Sequence, residues 1–328
     1  MKRIRVAVIG VGHLGRFHAE KYAGLPDVEL VGVVDADKKR VEEVASNLKT
    51  NAFYSYHDIL SKDKVDAVSI VVPTALHYRI AKDFLSQGID CLLEKPITNT
   101  VEEADELIKE AGKRKALLQV GHLERFNAAV TAAEGIVNNP LFIECHRLSP
   151  FSNRSTDVDV ILDMMIHDID IILNFVKSDI EAVDAVGVPV ITDKVDMANA
   201  RLRFKNGCVA NVTASRVSKE RERKIRLFQH DACISIDYAH QSMAVFRKFS
   251  GKKGEMPRII EEDIKIEKND TLLEEIKAFL HCVAARKLPL VSGEDGRRAL
   301  EVAHIIQKGI ASKSQSIKVK TDSFALTL

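Results

Sequence analysis

Three residues have the types and spacing that acid–base chemistry on an alcohol requires, and the first is Lys95. It lies between Glu94 and Pro96, one residue after a mostly apolar run from Ile89 to Leu93 that predicts a strand. A lysine at the end of such a strand can hydrogen-bond a substrate hydroxyl, and desolvation favours its neutral form. The alternative is a Glu-Lys pair exposed on the surface.

The other two residues are Asp163 and His167, in a stretch that predicts one helix from Val160 to Val176. Residues four apart share a helix face, so Asp163 can orient or polarise the His167 imidazole as a general base. Asp170, three residues after His167, competes for that role. Alternatively the helix is simply amphipathic, with its apolar side chains in the core and its acids in water.

The start of the chain predicts an element that binds an anion. Ile4 to Ile9 predicts a strand, the next six residues read G-V-G-H-L-G, and a helix follows. Gly10 permits the sharp turn, Gly12 lets backbone N–H groups approach phosphate oxygens, and Gly15 lets helix and strand touch. The helix N-terminus adds free donors and a positive dipole end. The candidate dinucleotide contacts from this loop are Gly10, Gly12, His13, Leu14 and Gly15.

A second predicted strand, Glu29 to Val34, ends at Asp35. A carboxylate at this point can accept hydrogen bonds from the adenosine ribose hydroxyls of a dinucleotide. It also repels a 2′-phosphate, so we predict NAD as the cofactor in preference to NADP. The basic residues at positions 38–40 could partly offset that repulsion; alternatively, they are solvated helix residues.

Further candidate cofactor contacts follow the later strands of this half. Val65 to Val72 is mostly apolar, as a buried parallel strand would be, and Pro73, Thr74 and then His77 come after it. The carboxyl ends of parallel strands face the ligand crevice, so these three residues are candidates. His77 could instead lie on the surface or cap the next helix. The same set includes Glu94, Lys95 and His122.

Strand and helix alternation over this half is typical of a doubly wound parallel sheet. Beyond it, seven segments between residues 141 and 249 read as strands, many with period-two alternation, and two helices close the chain. We therefore expect an α/β protein. Its Rossmann domain covers residues 1–122, and its C-terminal α+β domain covers 123–328 and contains a large open, mainly antiparallel sheet.

The composition excludes several classes of protein. With 328 residues, 46% hydrophobic and 29% charged, the chain reads as a globular protein. Its net charge of +1 gives no bulk field that would favour nucleic acid or a membrane surface. No segment approaches about 18 uninterrupted apolar residues, and no cleavage-site pattern follows the N-terminus. We expect neither secretion nor a membrane span.

Neither the cysteines nor the acids predict a metal. The five cysteines are scattered, odd in number and free of C-x-x-C spacing, which argues against a disulfide scaffold or a structural zinc site and favours a reducing cytoplasm. Asp157 and Asp159 could add ligands beside Asp163 and His167, but nothing in the sequence sets their geometry. No metal is predicted.

Taken together, these motifs resemble those of the glucose-fructose oxidoreductase and inositol dehydrogenase family (Gfo/Idh/MocA) over nearly the whole chain. The resemblance rests on the glycine loop, Asp35, the run ending at His77, Glu94-Lys95-Pro96, the Asp163 to His167 spacing and P-L-V-S-G-E-D-G from Pro289 to Gly296. It implies a Rossmann domain followed by an α/β domain whose sheet builds homodimers or homotetramers. It also implies a lysine, an aspartate and a histidine around a sugar-like alcohol, at Lys95, Asp163 and His167.

A narrower resemblance concerns V-G-H-L-E-R-F-N from Val120 to Asn127. This run is similar to the nucleotide-sugar branch of the family, which includes UDP-N-acetylglucosamine 3-dehydrogenases, although those usually have proline where this chain has Ala128. The resemblance implies a UDP-linked amino sugar as substrate, with Asn127 among its contacts. Arg125 can meet an anionic ligand, or it can form a structural ion pair with Glu124 or another acid.

One more arginine is a candidate substrate contact. Arg216, with Lys224 and Arg226 on adjacent predicted strands, could meet a diphosphate, or these residues form a solvated strand face. The predicted reaction is oxidation of a secondary sugar hydroxyl at C3, with hydride passing to NAD⁺. His167 takes the proton and Lys95 stabilises the alkoxide, or the two roles are exchanged. The alternatives are a free polyol or inositol as substrate, or a non-catalytic dinucleotide-sensing protein.

Overall fold

The computed structural model describes residues 3–61, 64–152, 158–249 and 258–316. The chain divides into two compact units, one formed by residues 1–132 and 266–300 and the other by residues 133–265 and 301–328. Asp157, considered above as a metal ligand, lies outside the described residues. No helix within the described ranges is long and apolar enough to cross a membrane.

The first unit contains alternating strands and helices up to residue 121. In chain order they are β1 (Ile4–Ile9), α1 (His13–Ala23), β2 (Val28–Val34), α2 (Lys38–Leu48), β3 (Asn51–Phe53), β4 (Ala67–Ile70), α3 (His77–Ser86), β5 (Asp90–Glu94), α4 (Val101–Arg114) and β6 (Leu118–Gly121). All six strands are parallel, in the order β3-β2-β1-β4-β5-β6. This confirms the doubly wound parallel sheet. The winding reverses between β1 and β4, where such folds open their ligand crevice.

Local sequence explains these elements. The strands are short apolar runs; in β4, for example, every residue from Ala67 to Ile70 is buried, as expected for a sheet covered on both faces. Helix α2 begins after Asp37, whose side chain accepts from the backbone N–H of Arg40 at 3.1 Å. Helix α4 begins with the capping box of Thr100 and Glu103. These side chains satisfy backbone N–H groups that would otherwise be free at the starts of the two helices.

The second unit is built around an eight-stranded sheet. After α5 (Ala128–Ala133) come β7 (Phe142–Leu148), a π-helical turn (Ile161–Met165), α6 (Ile166–Val176), β8 (Ile180–Val188), β9 (Met197–Phe204), β10 (Val209–Ser215), β11 (Glu222–Phe228), β12 (Ala232–Asp237), β13 (Ser242–Phe249) and β14 (Arg258–Asp263). The order is β14-β13-β12-β11-β7-β10-β9-β8, and β7 and β10 are its one parallel pair among the described strands. The predicted large, mainly antiparallel sheet is confirmed. The sequence did not predict α5 or β14.

Two helices close the described chain, α7 (Thr271–Ala285) and α8 (Gly293–Ser316). Helix α7 packs in the first unit, because Ile276 and Phe279 are buried in the same core as α1 and β1. Contacts thus place residues 266–300 with the first unit, whereas the domain division predicted from sequence runs at residues 122 and 123. The start of α8 is capped, since Ser292 Oγ accepts from the backbone N–H of Asp295 at 3.2 Å.

The helix that carries Asp163 and His167 differs from the single regular helix predicted for residues 160–176. Asp163 lies in the π-helical turn and His167 in the first turn of α6. A π-helical turn has more residues per turn than an α-helix. The angle between Asp163 and His167 around the helix axis therefore differs from the angle that a regular α-helix gives to residues four apart.

The amphipathic alternative expected the acids of this helix to lie in water, but two acids of α6 are buried. Asp168 is fully buried and pairs with Arg147 through two hydrogen bonds of 2.8 and 2.9 Å. Asp170 is 2% exposed. Burial of a carboxylate requires a partner, and Arg147 on β7 supplies it for Asp168.

Candidate active site

A cleft of about 620 Å³ opens at the carboxyl ends of β1, β2 and β4 in the first unit. Gly10, Gly12, Asp35 and Pro73, all predicted as cofactor contacts, line it together. A neighbouring depression of about 380 Å³ shares Gly12 with the cleft and includes His13. Residues from three separate strand ends therefore meet at one crevice, as the position of the sheet reversal requires.

Each glycine of the loop is present for a different physical reason. Gly10 has φ of +86°, and a Cβ there would lie 2.4 Å from the Val71 carbonyl oxygen. A Cβ on Gly15 would lie 1.9 Å from the Gly10 carbonyl oxygen, so this glycine permits the helix to touch the strand. A Cβ on Gly12 would meet nothing within 4 Å.

Gly12 is therefore not required by contacts within the protein. It is the N-cap of α1, beside the free N–H groups of the first helical turn, and it faces the cleft. A glycine that leaves open space at a helix N-terminus suits the close approach of a pyrophosphate. The residues present fit a dinucleotide at this position.

Asp35 is held at the wall of the same cleft by backbone and side-chain donors. The backbone N–H groups of Val11 and Asp37 donate to its carboxylate at 2.9 and 3.0 Å. The Arg40 guanidinium lies 3.3 Å from both of its oxygens. Asp35 is thus oriented where the sequence predicts the ribose site, and Arg40, one of the basic residues considered above, pairs with it.

Sequence reasoning missed several residues of the cleft. Tyr54 and Tyr56, and Arg79 of α3, contribute to its lining. The two tyrosines follow β3, which is a short strand of three residues. The same rule that identified Pro73 would have identified them, since Tyr54 directly follows the carboxyl end of a parallel strand and Tyr56 lies two residues further on.

His77 is neither on the surface nor a simple helix cap. It is 1% exposed, and its ring nitrogens lie 2.8 Å from the Pro96 carbonyl oxygen and 2.9 Å from the Val72 carbonyl oxygen. Burial lowers the pKa of His77, against the effect of these two carbonyls. The ring therefore ties the loop after β4 to the loop after β5. Thr74, in the first of these loops, is half-buried.

Lys95 directly follows β5 and is half-buried, as is expected of a residue at a strand end. Its backbone N–H donates to Glu94 Oε2 at 3.2 Å, and the peptide bond to Pro96 is cis. His122 lies after the neighbouring strand β6 and is 1% exposed. Burial, with the positive charges of Lys95 and Arg125, lowers the pKa of His122 to about 3, so its imidazole is neutral.

The residues of the run after β6 are buried in the first unit. Arg125 is 5% exposed and donates to the Leu290 carbonyl oxygen at 3.5 Å. Asn127 is 2% exposed, donates to Glu124 Oε2 at 3.2 Å and accepts from the Ala129 backbone N–H at 3.1 Å. These contacts are within the protein, and they hold the segment between β6 and α5 in place.

In the second unit, Asp163 and His167 are both half-buried. Arg216 is 4% exposed, and its guanidinium donates to Asp196 at 2.7 Å, to the Val158 carbonyl oxygen at 2.9 Å and to Thr192 Oγ1 at 3.1 Å. Lys224 and Arg226 are exposed on β11, and Arg226 pairs with Glu144 at 3.1 Å. Arg216 therefore differs from the other two in being enclosed by acceptors of its own unit.

Comparison with known proteins gives matches over most of the chain. A family model described as an oxidoreductase family with an NAD-binding Rossmann fold matches residues 4–122. A second model, described as a GFO/IDH/MocA C-terminal domain, matches residues 128–235. Together, the two models cover the glycine loop, Asp35, Lys95, Asp163 and His167.

Among individual proteins, the chain is 41% identical to UDP-N-acetylglucosamine 3-dehydrogenase of Acidithiobacillus ferrooxidans over 304 residues, which is 92% of this chain and 96% of that protein. A solved structure of that enzyme superposes with a TM-score of 0.89 over 95% of this chain and 99% of the other. Myo-inositol 2-dehydrogenase of Thermotoga maritima is 26% identical over 97% of this chain and 99% of that protein.

Proposed function

Because the chain belongs to the Gfo/Idh/MocA family of oxidoreductases, we propose that it is an NAD-dependent dehydrogenase that oxidises C3 of a UDP-linked N-acetylamino sugar. The observation that carries the choice of substrate is the near full-length similarity to UDP-N-acetylglucosamine 3-dehydrogenase at 41% identity. The cleft in front of Gly12, with Asp35 on its wall, supports the use of a dinucleotide.

NAD rather than NADP is the proposed cofactor. The Asp35 carboxylate would accept hydrogen bonds from the ribose hydroxyls and repel a 2′-phosphate, and its pairing with Arg40 reduces the attraction of that guanidinium for a phosphate. The pyrophosphate would lie against Gly12 and the first turn of α1. The remaining proposed contacts are Gly10, His13, Leu14, Gly15, Pro73, Thr74, His77, Glu94, Lys95 and His122.

NAD⁺, when bound, supplies the hydride acceptor at C4 of its nicotinamide ring. His167 would remove the proton of the substrate hydroxyl, and Asp163 would orient the imidazole. Lys95 would stabilise the developing alkoxide by hydrogen bonding and charge, or exchange roles with His167. These residues are predicted by the family resemblance, and their types suit the removal of a hydroxyl proton.

For the substrate, Lys95, Asp163 and His167 would contact the reacting alcohol, and Arg125 and Asn127 would shape the site from the segment after β6. The contacts of Arg125 and Asn127 within the protein support a positioning role for them. Arg216 was predicted as a substrate contact. Its enclosure by Asp196, Val158 and Thr192 favours a structural role instead.

The direct test is turnover. Purified protein is incubated with NAD⁺ and, separately, UDP-N-acetylglucosamine, UDP-glucose, N-acetylglucosamine and myo-inositol, and NADH is followed by absorbance. We expect turnover of the UDP-linked amino sugar and none of the free sugar. Identification of the product as the 3-keto sugar by mass spectrometry after borodeuteride trapping completes the test. Turnover of myo-inositol alone would contradict the proposed substrate.

A free polyol or inositol is the second candidate substrate, and the similarity to myo-inositol 2-dehydrogenase supports it less strongly, at 26% identity. A non-catalytic NAD sensor would bind NAD without turnover of any sugar. The same panel separates all three functions when a thermal-shift measurement with NAD is added, because a ligand that binds only the folded protein raises its melting temperature.

We also propose that the chain forms a homodimer or homotetramer through the sheet of the second unit and works in the cytoplasm. The edge strand β8 exposes Val186 and Val188, and β13, near the opposite edge of the sheet, exposes Phe246. Exposed apolar side chains on a sheet often mark an interface. Light scattering of the purified protein measures the number of subunits.

A further inference from the structure

Three titratable side chains meet in the interior of the first unit, behind the loop that carries Lys95. They are His18 of α1, Glu94 at the end of β5 and Glu275 of α7. His18 and Glu275 are fully buried, and Glu94 is 8% exposed. One nitrogen or oxygen atom from each lies within 4.8 Å of the others. The proposed reaction does not use His18 or Glu275.

Glu94 connects this group, which we call the buried triad, to Lys95. Its Oε2 accepts the backbone N–H of Lys95 at 3.2 Å, and its Oε1 lies 3.4 Å from His18 Nε2. A Cβ on Gly121 would lie 2.8 Å from Oε1, so the glycine at this position leaves the room that the carboxylate occupies. The carboxylate is therefore confined between α1, β6 and the backbone of Lys95.

His18 is itself oriented by a second pair of groups. Its Nδ1 lies 3.3 Å from Ser69 Oγ, and the same hydroxyl lies 2.8 Å from the Tyr22 hydroxyl. Ser69 and Tyr22 are both fully buried. With Nδ1 held by Ser69, the other ring nitrogen faces Glu94, so the imidazole cannot turn away without losing a buried contact.

The pKa values of the two carboxyl groups of the triad are shifted in opposite directions. Like charges this close in a dry interior do not both ionise, and one proton is retained between them. Burial, reinforced by the charge of Glu94, raises the pKa of Glu275 well above its usual value. Burial also opposes ionisation of Glu94, but the hydrogen bond and charge of His18, together with Lys95, hold the pKa of Glu94 below its usual value.

The surroundings of Glu275 agree with a protonated acid. Among the described residues, neither of its side-chain oxygens has a hydrogen-bond partner. A carboxylate in that position would carry a buried and unsatisfied charge, whereas a neutral carboxylic acid costs far less. The titratable groups that face the two acids are His18, Tyr22, His77, Lys95 and His122.

We propose that His18 and Glu275 are positioning residues that keep Glu94 ionised and directed at the backbone of Lys95, with Glu275 holding the proton that the two acids share. One negative charge then always lies behind the lysine, and its position is set by three elements of the first unit. This inference rests on the proposed function for its effect on catalysis. It does not depend on that function for the charge state of the triad.

A divalent cation bound by the three side chains is the competing explanation. Such a cation would need both carboxylates ionised and would satisfy Glu275 as a ligand. The geometry favours the shared proton, because Glu94 already accepts the Lys95 backbone N–H and its other oxygen lies 3.4 Å from His18 Nε2. Metal analysis of the purified protein separates the two explanations.

The first test is the pH dependence of thermal stability for the wild type and Glu275→Gln, with Glu274→Gln as a matched control on the same helix. A group whose pKa is raised by folding stabilises the protein fully below its unfolded pKa of about 4.5, and this stabilisation is lost as pH rises. The melting temperature of Glu275→Gln minus that of the wild type should therefore increase steadily from pH 5 to 9. For Glu274→Gln the difference should stay nearly constant.

The second test is the pH–rate profile of kcat for Glu94→Gln. Removing a neighbouring negative charge favours the deprotonated form of a lysine, so the profile should move to lower pH by about one unit. A purely structural effect would lower kcat without moving the profile. The pH–rate profile of Glu274→Gln should not shift. In Glu94→Gln, the KM for NAD should change by a smaller factor than the apparent proton dissociation constant that the profile reports.

Two results would overturn the inference. One is a difference in melting temperature between Glu275→Gln and the wild type that is flat or falls as pH rises. The other is stoichiometric metal in the wild type that Glu275→Gln loses. Both measurements are independent of turnover, so they decide the state of the triad even if no sugar is oxidised. Conversely, the protein could oxidise a UDP-sugar while the difference in melting temperature between Glu275→Gln and the wild type does not change with pH. That result would leave the proposed function intact and reject only the inference about the buried triad.

Discussion

The Arg40 guanidinium lies 3.3 Å from both carboxylate oxygens of Asp35. Both residues line the cleft at the carboxyl end of β2. We therefore expect the aspartate to have two roles: it would accept hydrogen bonds from ribose hydroxyls, and it would neutralise a guanidinium that otherwise attracts a phosphate. In our proposal, the choice between NAD and NADP depends chiefly on this one carboxylate.

Asp35→Asn should shift cofactor use from NAD toward NADP. Loss of hydrogen bonds from the ribose to a charged acceptor costs about 1.5–3 kcal/mol, so kcat/KM for NAD should fall roughly tenfold or more. The value for NADP should rise, because the repulsion disappears and Arg40 is released. The measurement is kcat/KM for each cofactor at saturating sugar.

Asp37→Asn is the matched control for that substitution. Asp37 also pairs with Arg40, at 3.1 Å, but its Asn replacement can still cap α2. Its NAD to NADP ratio should stay within about threefold of the wild type. Adding Arg40→Ala to Asp35→Asn should remove the gain with NADP. An unchanged ratio in Asp35→Asn would show that this carboxylate does not select the cofactor.

Gly12→Ala should weaken NAD binding while the apoprotein keeps its stability. A Cβ at this position meets nothing within 4 Å, and Gly12 has φ of −63°, which alanine adopts readily. Gly to Ala at such a site stabilises by about 0.4–1 kcal/mol. The new methyl group would stand where we propose the pyrophosphate. Calorimetry with NAD and a melting curve without it are the two measurements.

Gly15→Ala is the contrasting variant. Its Cβ would lie 1.9 Å from the Gly10 carbonyl oxygen, which forces α1 away from β1. The melting temperature should therefore fall, by the several degrees that overpacking of about 1–3 kcal/mol produces. If Gly12→Ala instead binds NAD as tightly as the wild type, the pyrophosphate does not pass over Gly12.

Lys95→Met and His167→Ala should each lower kcat on the order of 10²-fold or more, because a positioned acid or base contributes about that much. Asp163→Asn should have a smaller effect, since it orients the imidazole and does not transfer the proton in the proposed mechanism. Single-turnover rates with the UDP-sugar measure the chemical step for each variant.

The control for these substitutions is Lys113→Met, which replaces a lysine with a 66% exposed side chain on α4. It should retain the wild-type rate. Near wild-type rates in both Lys95→Met and His167→Ala would reject their assignment as catalytic residues, and normal melting temperatures would show that the variants are folded.

Arg216→Met should reduce stability and leave the KM for the UDP-sugar nearly unchanged in the protein that remains folded. Asp196 accepts hydrogen bonds from the backbone N–H groups of residues 190–192 as well as from Arg216. Removing the arginine takes away the charged partner of a buried carboxylate that keeps its backbone donors, which should cost about 1.5–3 kcal/mol, the value typical of a hydrogen bond to a charged group. The midpoint of urea unfolding is the measurement.

Arg226→Met provides the comparison for Arg216→Met. Its ion pair with Glu144 is exposed, so its loss should cost less than about 1 kcal/mol. A selective rise in KM for the UDP-sugar with Arg216→Met, without loss of stability, would restore Arg216 as a substrate contact.

The sequence alone determined the parts of this protein in which neighbours along the chain meet. Gly10, Gly12 and Gly15 lie within six residues, so the turn between β1 and α1 can be predicted from backbone sterics. The position of Asp35 at the cleft can be predicted as well, because the parallel strands of a doubly wound sheet all end at one edge. The order of strands and helices follows from apolar runs whose period matches each element.

Only the tertiary structure decided which polar side chains are buried and which residues they pair with. Nothing near Arg216 in sequence predicts its enclosure by Asp196, and nothing near Glu94 predicts Glu275. Such pairs depend on how helices and strands from distant parts of the chain pack, and the cost of burying a charge then selects the partner. Hydrophobic periodicity reports that a face is buried, but it carries no information about which buried charges meet.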